Sequence, residues 1–328
     1  MTVLTSATQS VIDWAGLQAS AIEGERPESV GGDHDLFGWR VRSVLPLPGL
    51  RPWTGAGIAP HVVVRFGPAS PVSGARAFSP AIMIGPDRSV FITAPGLGRF
   101  AIPNEAAVVI ERFDDTPDSA LQAFLLTEVL PVLCLLRGLV PLRASGVVID
   151  GEGVLLAGMP GVGKSTLAAH MLTRGARLIG DGFCALRSGR EGGPELCPGA
   201  GVVRLWTDTV TPLGLTPRLQ SEPLAVGRNA IPVKAHALQS TPIRPGKLAL
   251  IAVDNDAGAH TAVPMAPGLV MRPRTLVVGW RLAGALGCEG WVFKGLAAML
   301  AGMTCLQLRR GGAPFELDAM TQLLREAR

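Results

Sequence analysis

The stretch that decides the fold runs from residue 153 to residue 186 and reads GVLLAGMPGVGKSTLAAHMLTRGARLIGDGFCAL. An apolar strand over 153–157 leads into a glycine-rich loop, the loop opens a helix that begins KSTLAAHML, and a second strand, ARLIG, ends at Asp181. A strand, a loop, a helix and another strand in this order are typical of an α/β domain. The sequence therefore predicts an α/β fold built around this stretch.

The loop fits the phosphate-binding pattern G-x-x-x-x-G-K-[ST] in full. Its residues are Gly158, Met159, Pro160, Gly161, Val162, Gly163, Lys164, Ser165 and Thr166. Glycines let successive backbone N–H groups turn inward around an anion, and the positive end of the following helix points at the same place. In such loops the lysine reaches the β- and γ-phosphates and the Ser165-type hydroxyl coordinates Mg²⁺. We therefore expect ATP and Mg²⁺ to bind here.

Two carboxylates compete for the role of the acid that holds the metal. Asp181 follows the strand RLIG, 17 residues after Lys164. Asp254 ends the run LALIAVD, which has the form of a Walker B strand, but Asn255 follows it where an ATPase would place a glutamate to activate water. A kinase that uses Asp181 and a plain P-loop NTPase that uses Asp254 are both open at this point.

Composition limits the other functions. The chain has 328 residues, 48% of them hydrophobic and 17% charged, as in a folded protein of about two domains. The net charge of +4 comes without any long basic run, so we expect no nucleic acid partner. Five scattered cysteines show no metal-ligand spacing and no disulfide framework. The first residues lack a basic segment followed by an apolar core, so we expect a cytoplasmic protein and no membrane partner; a homo-oligomer is left open.

The chain divides into three parts by pattern. Residues 1–115 contain short apolar or alternating runs separated by turn signals such as Pro86–Asp87, which predicts a β-rich N-terminal domain that acts as a scaffold or docks a peptide. Residues 116–138 form a connecting helix and 139–328 the P-loop α/β domain. The apolar run over 121–142 contains Glu128, Pro131 and Arg137, which favours a buried helix, kinked or started by Pro131, over a membrane span.

The segment Leu136–Leu186 resembles the P-loop domain of HPr kinase/phosphorylase and of HPr-kinase-related proteins. The resemblance lies in the order of strand, short turn, P-loop, a helix ending in Arg174-Gly175, and the strand RLIGD. It continues more loosely into VVRLWTDTVTPLGL at 202–215 and PIRPGKLALIAV at 242–253. Residues 1–115 look more like the β-rich front half of the related kinases, some of which accompany lasso-peptide pathways.

The resemblance implies a fold related to phosphoenolpyruvate carboxykinase and ATP-dependent phosphorylation of a serine hydroxyl on a protein or peptide. It assigns Asp181 as the general base or metal ligand. Two positions depart from the family, since Arg143 stands where the family has histidine and Gly182 where it has a second aspartate. Because an arginine exchanges no proton near pH 7, the reverse, phosphorylase-type reaction is not expected. Asp150 or Asp254 could supply the acid in place of residue 182.

The prediction is an ATP-dependent serine kinase with Asp181, Lys164 and Arg143 as catalytic residues and with Ser165 and Asp181 as metal ligands. Cationic residues downstream are candidates for contacts with phosphate or substrate: Arg204, Lys234, Arg244 and Lys247. Arg143 and Gly182 also leave a second interpretation open, a catalytically reduced module that binds nucleotide and docks a peptide.

Overall fold

The computed structural model describes residues 31–55, 57–189, 192–210, 212–214, 228–254, 259–311 and 316–327. Residues 1–30 of the predicted N-terminal domain, the end of the segment 202–215 and Asn255 therefore lie outside the described residues. Of Arg228 only the backbone is described.

The N-terminal region forms one nine-stranded sheet. Its strands are β1 Gly32–Leu36, β2 Trp39–Ser43, β3 Arg51–Pro52, β4 Val62–Phe66, β5 Arg76–Ser79, β6 Ile82–Ile84, β7 Val90–Ala94, β8 Gly98–Asn104 and β9 Ala107–Arg112. Their spatial order is β3-β1-β2-β4-β9-β8-β7-β6-β5. The predicted turn at Pro86–Asp87 is confirmed, because it joins the antiparallel strands β6 and β7 and Asp87 Oδ1 accepts the Ser89 N–H at 3.1 Å. The β-rich pattern of the sequence is thus real over the described part of this region.

A long helix, α1 (Asp118–Leu136), follows the sheet and packs against it. By length and composition it is the one described helix apolar enough to cross a membrane, yet 56% of its most apolar window is buried inside the protein. A π-helical turn, Leu125–Val129, lies in its middle. Pro131 lies in the first turn of the α-helical segment Leu130–Leu136 that follows this π-turn, so the long helix as a whole does not start at the proline, which was one of the two alternatives. The burial agrees with the predicted core helix.

The C-terminal region is built on a mixed sheet. Its strands and those around it are β10 Val140–Leu142, β11 Ala144–Ile149, β12 Glu152–Ala157, β13 Arg177–Gly180, β14 Cys184–Ser188, β15 Pro194–Cys197, β16 Val202–Trp206, β17 Arg228–Pro232, β18 Pro245–Asp254, β19 Thr261–Pro264 and β20 Thr304–Gly311. The main sheet has the order β13-β11-β12-β18-β20-β19, in which β12, β18 and β20 are parallel. β10, β14 and β15 form a smaller sheet, and β16 pairs with β17.

Helices cover both faces of the main sheet. They are α2 Lys164–Thr173, α3 Thr207–Val210, α4 Pro267–Val270, α5 Pro273–Leu276, α6 Trp280–Ala285, α7 Glu289–Ala301 and α8 Leu317–Glu326, with a short 3₁₀ turn at Ala235–Ala237. One apolar cluster joins α2 and α8 to one face of the sheet. A larger cluster joins α1, α7 and the inner face of the N-terminal sheet to the other. The N-terminal sheet and the main sheet of the C-terminal region therefore share one core.

Candidate active site

The predicted phosphate loop joins the end of β12 to the start of α2. Gly158 has φ 138°, and a Cβ at this position would lie 2.6 Å from the Ile251 carbonyl oxygen, so a glycine is needed for the loop to rest against β18. The helix α2 begins at Lys164 directly after the loop, which turns its unpaired N–H groups and positive end toward an anion in the loop. The loop and the start of α2 therefore have the arrangement that the predicted phosphate cradle requires.

Lys164 closes one side of this cradle. Its Nζ donates to the carbonyl oxygens of Gly158 at 3.0 Å and Met159 at 2.9 Å. The ammonium therefore stays beside the loop, where an incoming phosphate would meet it. Met159 is exposed at the rim, so the loop opens toward solvent on this side.

Asp181 lies beside the loop and is 6% exposed. Its Oδ1 accepts hydrogen bonds from the hydroxyls of Ser145 at 2.5 Å and Ser165 at 2.8 Å. Its Oδ2 accepts the backbone N–H of Arg204 at 2.9 Å. A buried carboxylate with three donors is held in one orientation. The structure therefore brings together Asp181 and the P-loop serine, the two predicted metal ligands.

The pairing of β11 with its two neighbours explains why Ser145, the loop and Asp181 lie close together. β11 runs antiparallel to both of its neighbours, with Ala144 paired to Ala157 and Gly146 paired to Gly180. The first residues of β11 therefore lie at the same edge of the sheet as the ends of β12 and β13. Ser145 shares its face of β11 with Val147, which packs into the α2 cluster, so its hydroxyl points toward the loop and Asp181.

Arg143 and Gly182, the two positions that depart from the resembled family, also lie at this edge. Arg143 is half-buried just before β11, and its N–H donates to the Leu276 carbonyl oxygen at 2.7 Å. Gly182 has φ 85°, and a Cβ there would lie 3.2 Å from Arg204 Nη1. An aspartate at residue 182 would therefore be strained by its backbone conformation and would touch the Arg204 guanidinium.

Glu128, on the π-helical turn of α1, adds a second carboxylate near these arginines. Burial of its carboxylate raises the pKa of Glu128, while the charge of Arg143, a hydrogen bond from Thr127 and the charge of Arg204 oppose the rise. The side chain still reaches solvent. From the sequence alone, Glu128 only disfavours a membrane span, because no local pattern connects residue 128 with the loop.

Two of the predicted cationic contacts, Arg244 and Lys247, lie elsewhere. They stand at the beginning of β18, where Lys247 pairs with Val154 and Pro245 with Gly153, away from the end of β12 that carries the loop. Lys247 Nζ donates to the Leu324 carbonyl oxygen at 3.2 Å and forms an ion pair with Glu152 at 3.3 Å. The structure does not bring these two residues to the loop.

Lys234 and the alternative acids are also separate from Asp181. Lys234 is exposed two residues beyond Pro232, the end of β17, which pairs with Val202, whereas Asp181 accepts its hydrogen bond from Arg204. Asp150 lies in the β11–β12 turn at the opposite edge of the sheet and pairs with Arg325 at 3.3 Å. Of the four cationic candidates, Arg204 is the one that the structure places against Asp181.

Asp254 lies at the same edge of the sheet as the loop, but beyond the point where β18 pairs with the end of β12. Leu250 is the partner of Ala157, and Asp254 comes four residues later, paired with Gly311. Strand alternation puts it on the side of Leu248, whose side chain joins the α1 cluster, whereas α2 packs on the other face. β18, the strand that ends at Asp254, lies next to β12 as in a Walker B arrangement. The Asp254 side chain, however, lies on the face of the sheet opposite α2.

Cys184, behind the carboxylate, is excluded as a nucleophile. Burial raises the pKa of this thiol far above its ordinary value, and the charge of Asp181 raises it further. Its Sγ faces the carbonyl oxygens of Gly180 at 3.6 Å and Ala144 at 3.7 Å. The thiol therefore stays protonated and packs as a small apolar group.

The donor set at the loop suits a small hard cation. Mg²⁺ that accompanies a nucleotide is held by one or two protein oxygens and by the phosphates. The Ser165 hydroxyl and the Asp181 carboxylate are such a pair, 2.8 Å apart. Among the described residues there is no group of three or more His, Cys, Asp or Glu that could hold a metal by itself.

Comparisons with known proteins give a weak similarity in structure. No protein-family model and no curated protein matches the chain. Among solved structures, the chain is similar to the HPr(Ser) kinase/phosphatase from Coxiella burnetii, with a TM-score of 0.31 and 15% identity, over 56% of this chain and 92% of that chain. A TM-score this low carries no argument about the reaction. The geometry of the site by itself supports one conclusion: an aspartate is held in a fixed orientation beside a loop that has the P-loop sequence pattern.

Proposed function

We propose that this protein is an ATP-dependent kinase that transfers the γ-phosphoryl group to a serine hydroxyl of a protein or peptide. The observation that carries the proposal is Asp181, buried beside the P-loop and hydrogen-bonded to the Ser165 hydroxyl at 2.8 Å. A phosphoryl-transfer site needs a phosphate cradle, a cation to compensate charge and a carboxylate at the metal. In the proposal the loop residues 158–163 are the cradle, Lys164 is the cation and Asp181 is the carboxylate, and all of them lie at one edge of the sheet.

Each group at this edge has a role in the proposal. The backbone N–H groups of 158–164 and the positive end of α2 bind the triphosphate, and Lys164 compensates the negative charge that grows on the leaving phosphate. Ser165 and Asp181 would hold Mg²⁺, which when bound withdraws charge from the phosphate oxygens. Ser145 and the Arg204 N–H keep Asp181 in the orientation that this requires.

The acceptor class rests on the resemblance of residues 136–186 to the HPr kinase family, in which a serine hydroxyl is phosphorylated. The protein or peptide nature of the acceptor is part of the same proposal, and so is the docking role of residues 1–115. In its most specific form, the proposal is that the acceptor is of the lasso-peptide type.

One observation favours a second function, that of a nucleotide-binding module without turnover. Both oxygens of Asp181 already accept hydrogen bonds from the protein, and Gly182 supplies no second carboxylate. If the Asp181 hydrogen bonds persist with nucleotide bound, the site would hold ATP without activating an acceptor. A plain NTPase would instead depend on Asp254.

The test is to follow the label from γ-labelled ATP in the presence of Mg²⁺ and an arrayed library of serine-containing peptides. The proposal expects phosphoserine on a subset of peptides. Label released only as free phosphate would contradict the kinase and support an NTPase. Nucleotide binding without transfer to peptide or water would support the binding module.

A further inference from the structure

Segment 270–276 carries two exposed arginines, Arg272 and Arg274, between buried apolar residues. Val270 and Leu276, at its two ends, are 3% and 4% exposed and pack into the α1 cluster. The apolar ends therefore anchor the segment in the core and leave the two arginine side chains exposed.

Backbone hydrogen bonds tie this segment to the chain just before β11. The Arg143 N–H donates to the Leu276 carbonyl oxygen at 2.7 Å, and the Val278 N–H donates to the Pro141 carbonyl oxygen at 2.8 Å. Arg143 comes two residues before Ser145, whose hydroxyl donates to Asp181. The segment therefore reaches the edge of the sheet that carries the loop.

The smaller sheet gives the spacing between this segment and Asp181. Leu142 pairs with Cys184 of β14 on one side and with Val277 on the other. Neighbouring strands lie about 4.8 Å apart, so the backbone of Val277 is about 10 Å from that of Cys184, which follows Asp181 by three residues. Arg274 comes three residues before Val277, on the side of the loop.

The segment belongs to a stretch of chain without acidic residues. Residues 257–288 contain three arginines and no Asp or Glu. Exposed arginines elsewhere, such as Arg174 and Arg325, pair with a neighbouring carboxylate. The ion pairs between described residues include neither Arg272 nor Arg274. Within the described part of the chain, the charge of both arginines is therefore available to a bound partner.

The side of the sheet favours the acceptor over the nucleotide as this partner. The helix α2, whose start is the proposed triphosphate site, packs on one face of the main sheet, whereas segment 270–276 packs with the α1 cluster on the other. In phosphoryl transfer the attacking and leaving oxygens lie roughly in line on opposite sides of the phosphorus. An acceptor that approaches over this segment comes from the side opposite the nucleotide.

We propose that segment 270–276 docks the acceptor, and that its two arginines bind carboxylates of an acidic stretch next to the acceptor serine. The inference rests on the proposed kinase function. An extended chain rises about 3.3 Å per residue, so a peptide with its serine beside Asp181 reaches Arg274 and Arg272 after about three to five residues. Arginine suits this role because its guanidinium binds a carboxylate through two parallel hydrogen bonds.

The experiment uses γ-labelled ATP, Mg²⁺ and serine peptides in which a pair of aspartates is moved along the peptide at constant net charge. The unchanged protein is expected to show about fivefold to tenfold higher kcat/KM when the pair lies about three to five residues from the serine. Combining Arg272→Ala with Arg274→Ala should remove this preference through KM and leave kcat within about twofold. The preference should also shrink as salt is added, because exposed charges are screened.

Two further variants separate recognition from loss of charge in general. Combining Arg272→Glu with Arg274→Glu should reverse the preference, so that peptides with a lysine pair at the same positions become the better substrates. The matched control is Arg281→Ala. Arg281 is an exposed arginine of the same acid-free stretch, on α6, past the end of the pairing with β10 that is distant from the loop. This variant should keep the preference.

Binding of the same peptides, measured by fluorescence anisotropy, tests the segment independently of transfer. A position preference that the double alanine variant loses supports the docking role. Equal transfer to all peptides of the same net charge, or a preference that survives in the double variant, overturns the docking role and leaves the kinase proposal standing. Peptide binding that needs both arginines, without any transfer, supports docking and contradicts the kinase. If the unchanged protein shows neither such binding nor transfer, both proposals are overturned.

Discussion

The Asp181 carboxylate depends on a residue with no part in the P-loop, Ser145. The 2.5 Å hydrogen bond from its hydroxyl is shorter than the 2.8 Å bond from Ser165, and both end on the same oxygen. When a cation binds, Ser165 is the donor that would turn away to coordinate it, whereas Ser145 can stay. We therefore expect Ser145 to set the position of Asp181 in the loaded site.

Replacing Ser145 by alanine should show this role. The change removes a buried hydrogen bond to a carboxylate, which typically contributes about 1.5–3 kcal/mol to stability. It should also raise the Mg²⁺ concentration needed for half-maximal ATP binding by several-fold, because Asp181 is less well oriented. Urea unfolding and Mg²⁺ titrations at fixed ATP measure the two effects; an unchanged Mg²⁺ requirement would mean that Ser145 is only structural.

At the residue scale, the sequence predicts the groups that belong to a local pattern and misses those that depend on the fold. The P-loop and Asp181 follow strands in a recognisable order, so they could be named. Ser145 comes from a strand that precedes the loop, and only the antiparallel pairing of β11 with β12 and β13 brings it next to Asp181. The one signal for Ser145 was its position two residues after Arg143.

At the scale of elements, the loop and β18 form one unit. The backbone of Gly158 lies directly against the Ile251 carbonyl oxygen, so the loop rests on the strand that ends at Asp254. The parallel pairing of β12 with β18 fixes this contact. The same pairing explains why Arg244 and Lys247, predicted beside the phosphate, lie at the other edge, because the direction of β18 cannot be read from its residues alone.

Because Gly158 lies against β18 and Gly161 does not, we expect alanine substitutions at these two positions to differ in effect. Gly158→Ala places a Cβ 2.6 Å from a backbone oxygen and should displace the loop, with more than tenfold weaker ATP binding. Gly161→Ala, with φ 85° and open space around its Cβ position, should cost only about 1 kcal/mol of stability and weaken binding much less. Calorimetric titration with ATP compares them; equal losses would contradict the contact as the cause.

At the scale of the whole molecule, the N-terminal sheet and the P-loop unit are joined through α1. Arg137, at the end of α1, donates to the carbonyl oxygens of His61 at 3.1 Å and Glu105 at 2.6 Å and stacks 4.6 Å from the Trp39 ring centroid. The Phe37 N–H also donates to the Pro198 carbonyl oxygen at 2.9 Å. Composition and pattern could predict two regions, but the shared core comes from packing that no local pattern records.

His61, at this joint, should make stability depend on pH. Its Nδ1 accepts the Arg40 N–H at 2.9 Å, which requires an unprotonated nitrogen, and burial, then Arg137 and Arg40, lower its pKa. A lowered pKa in the folded state means that stability is complete above the ordinary histidine pKa of about 6.5 and is lost as the pH falls through the folded value. His34, whose pKa burial also lowers, adds to the same trend.

We expect His61→Asn to reduce this loss, because its side-chain oxygen can accept the same hydrogen bond without titrating. The effect should be well under the roughly 1.4 kcal/mol per pH unit of a full proton, since the ring is partly exposed and screened. Urea unfolding between pH 7.5 and 5 measures it, with His236→Asn, at an exposed position in the 3₁₀ turn, as the control. A slope equal to that of the unchanged protein would contradict the assignment.

The most direct test of the central claim is the rate of phosphoryl transfer from γ-labelled ATP to serine peptides in two matched variants, Asp181→Asn and Asp254→Asn. Both remove one carboxylate charge at the same edge of the sheet, but only Asp181 contacts the P-loop serine. The account predicts at least a hundredfold loss in Asp181→Asn and a change within twofold in Asp254→Asn. Full transfer by Asp181→Asn together with its loss in Asp254→Asn would contradict it.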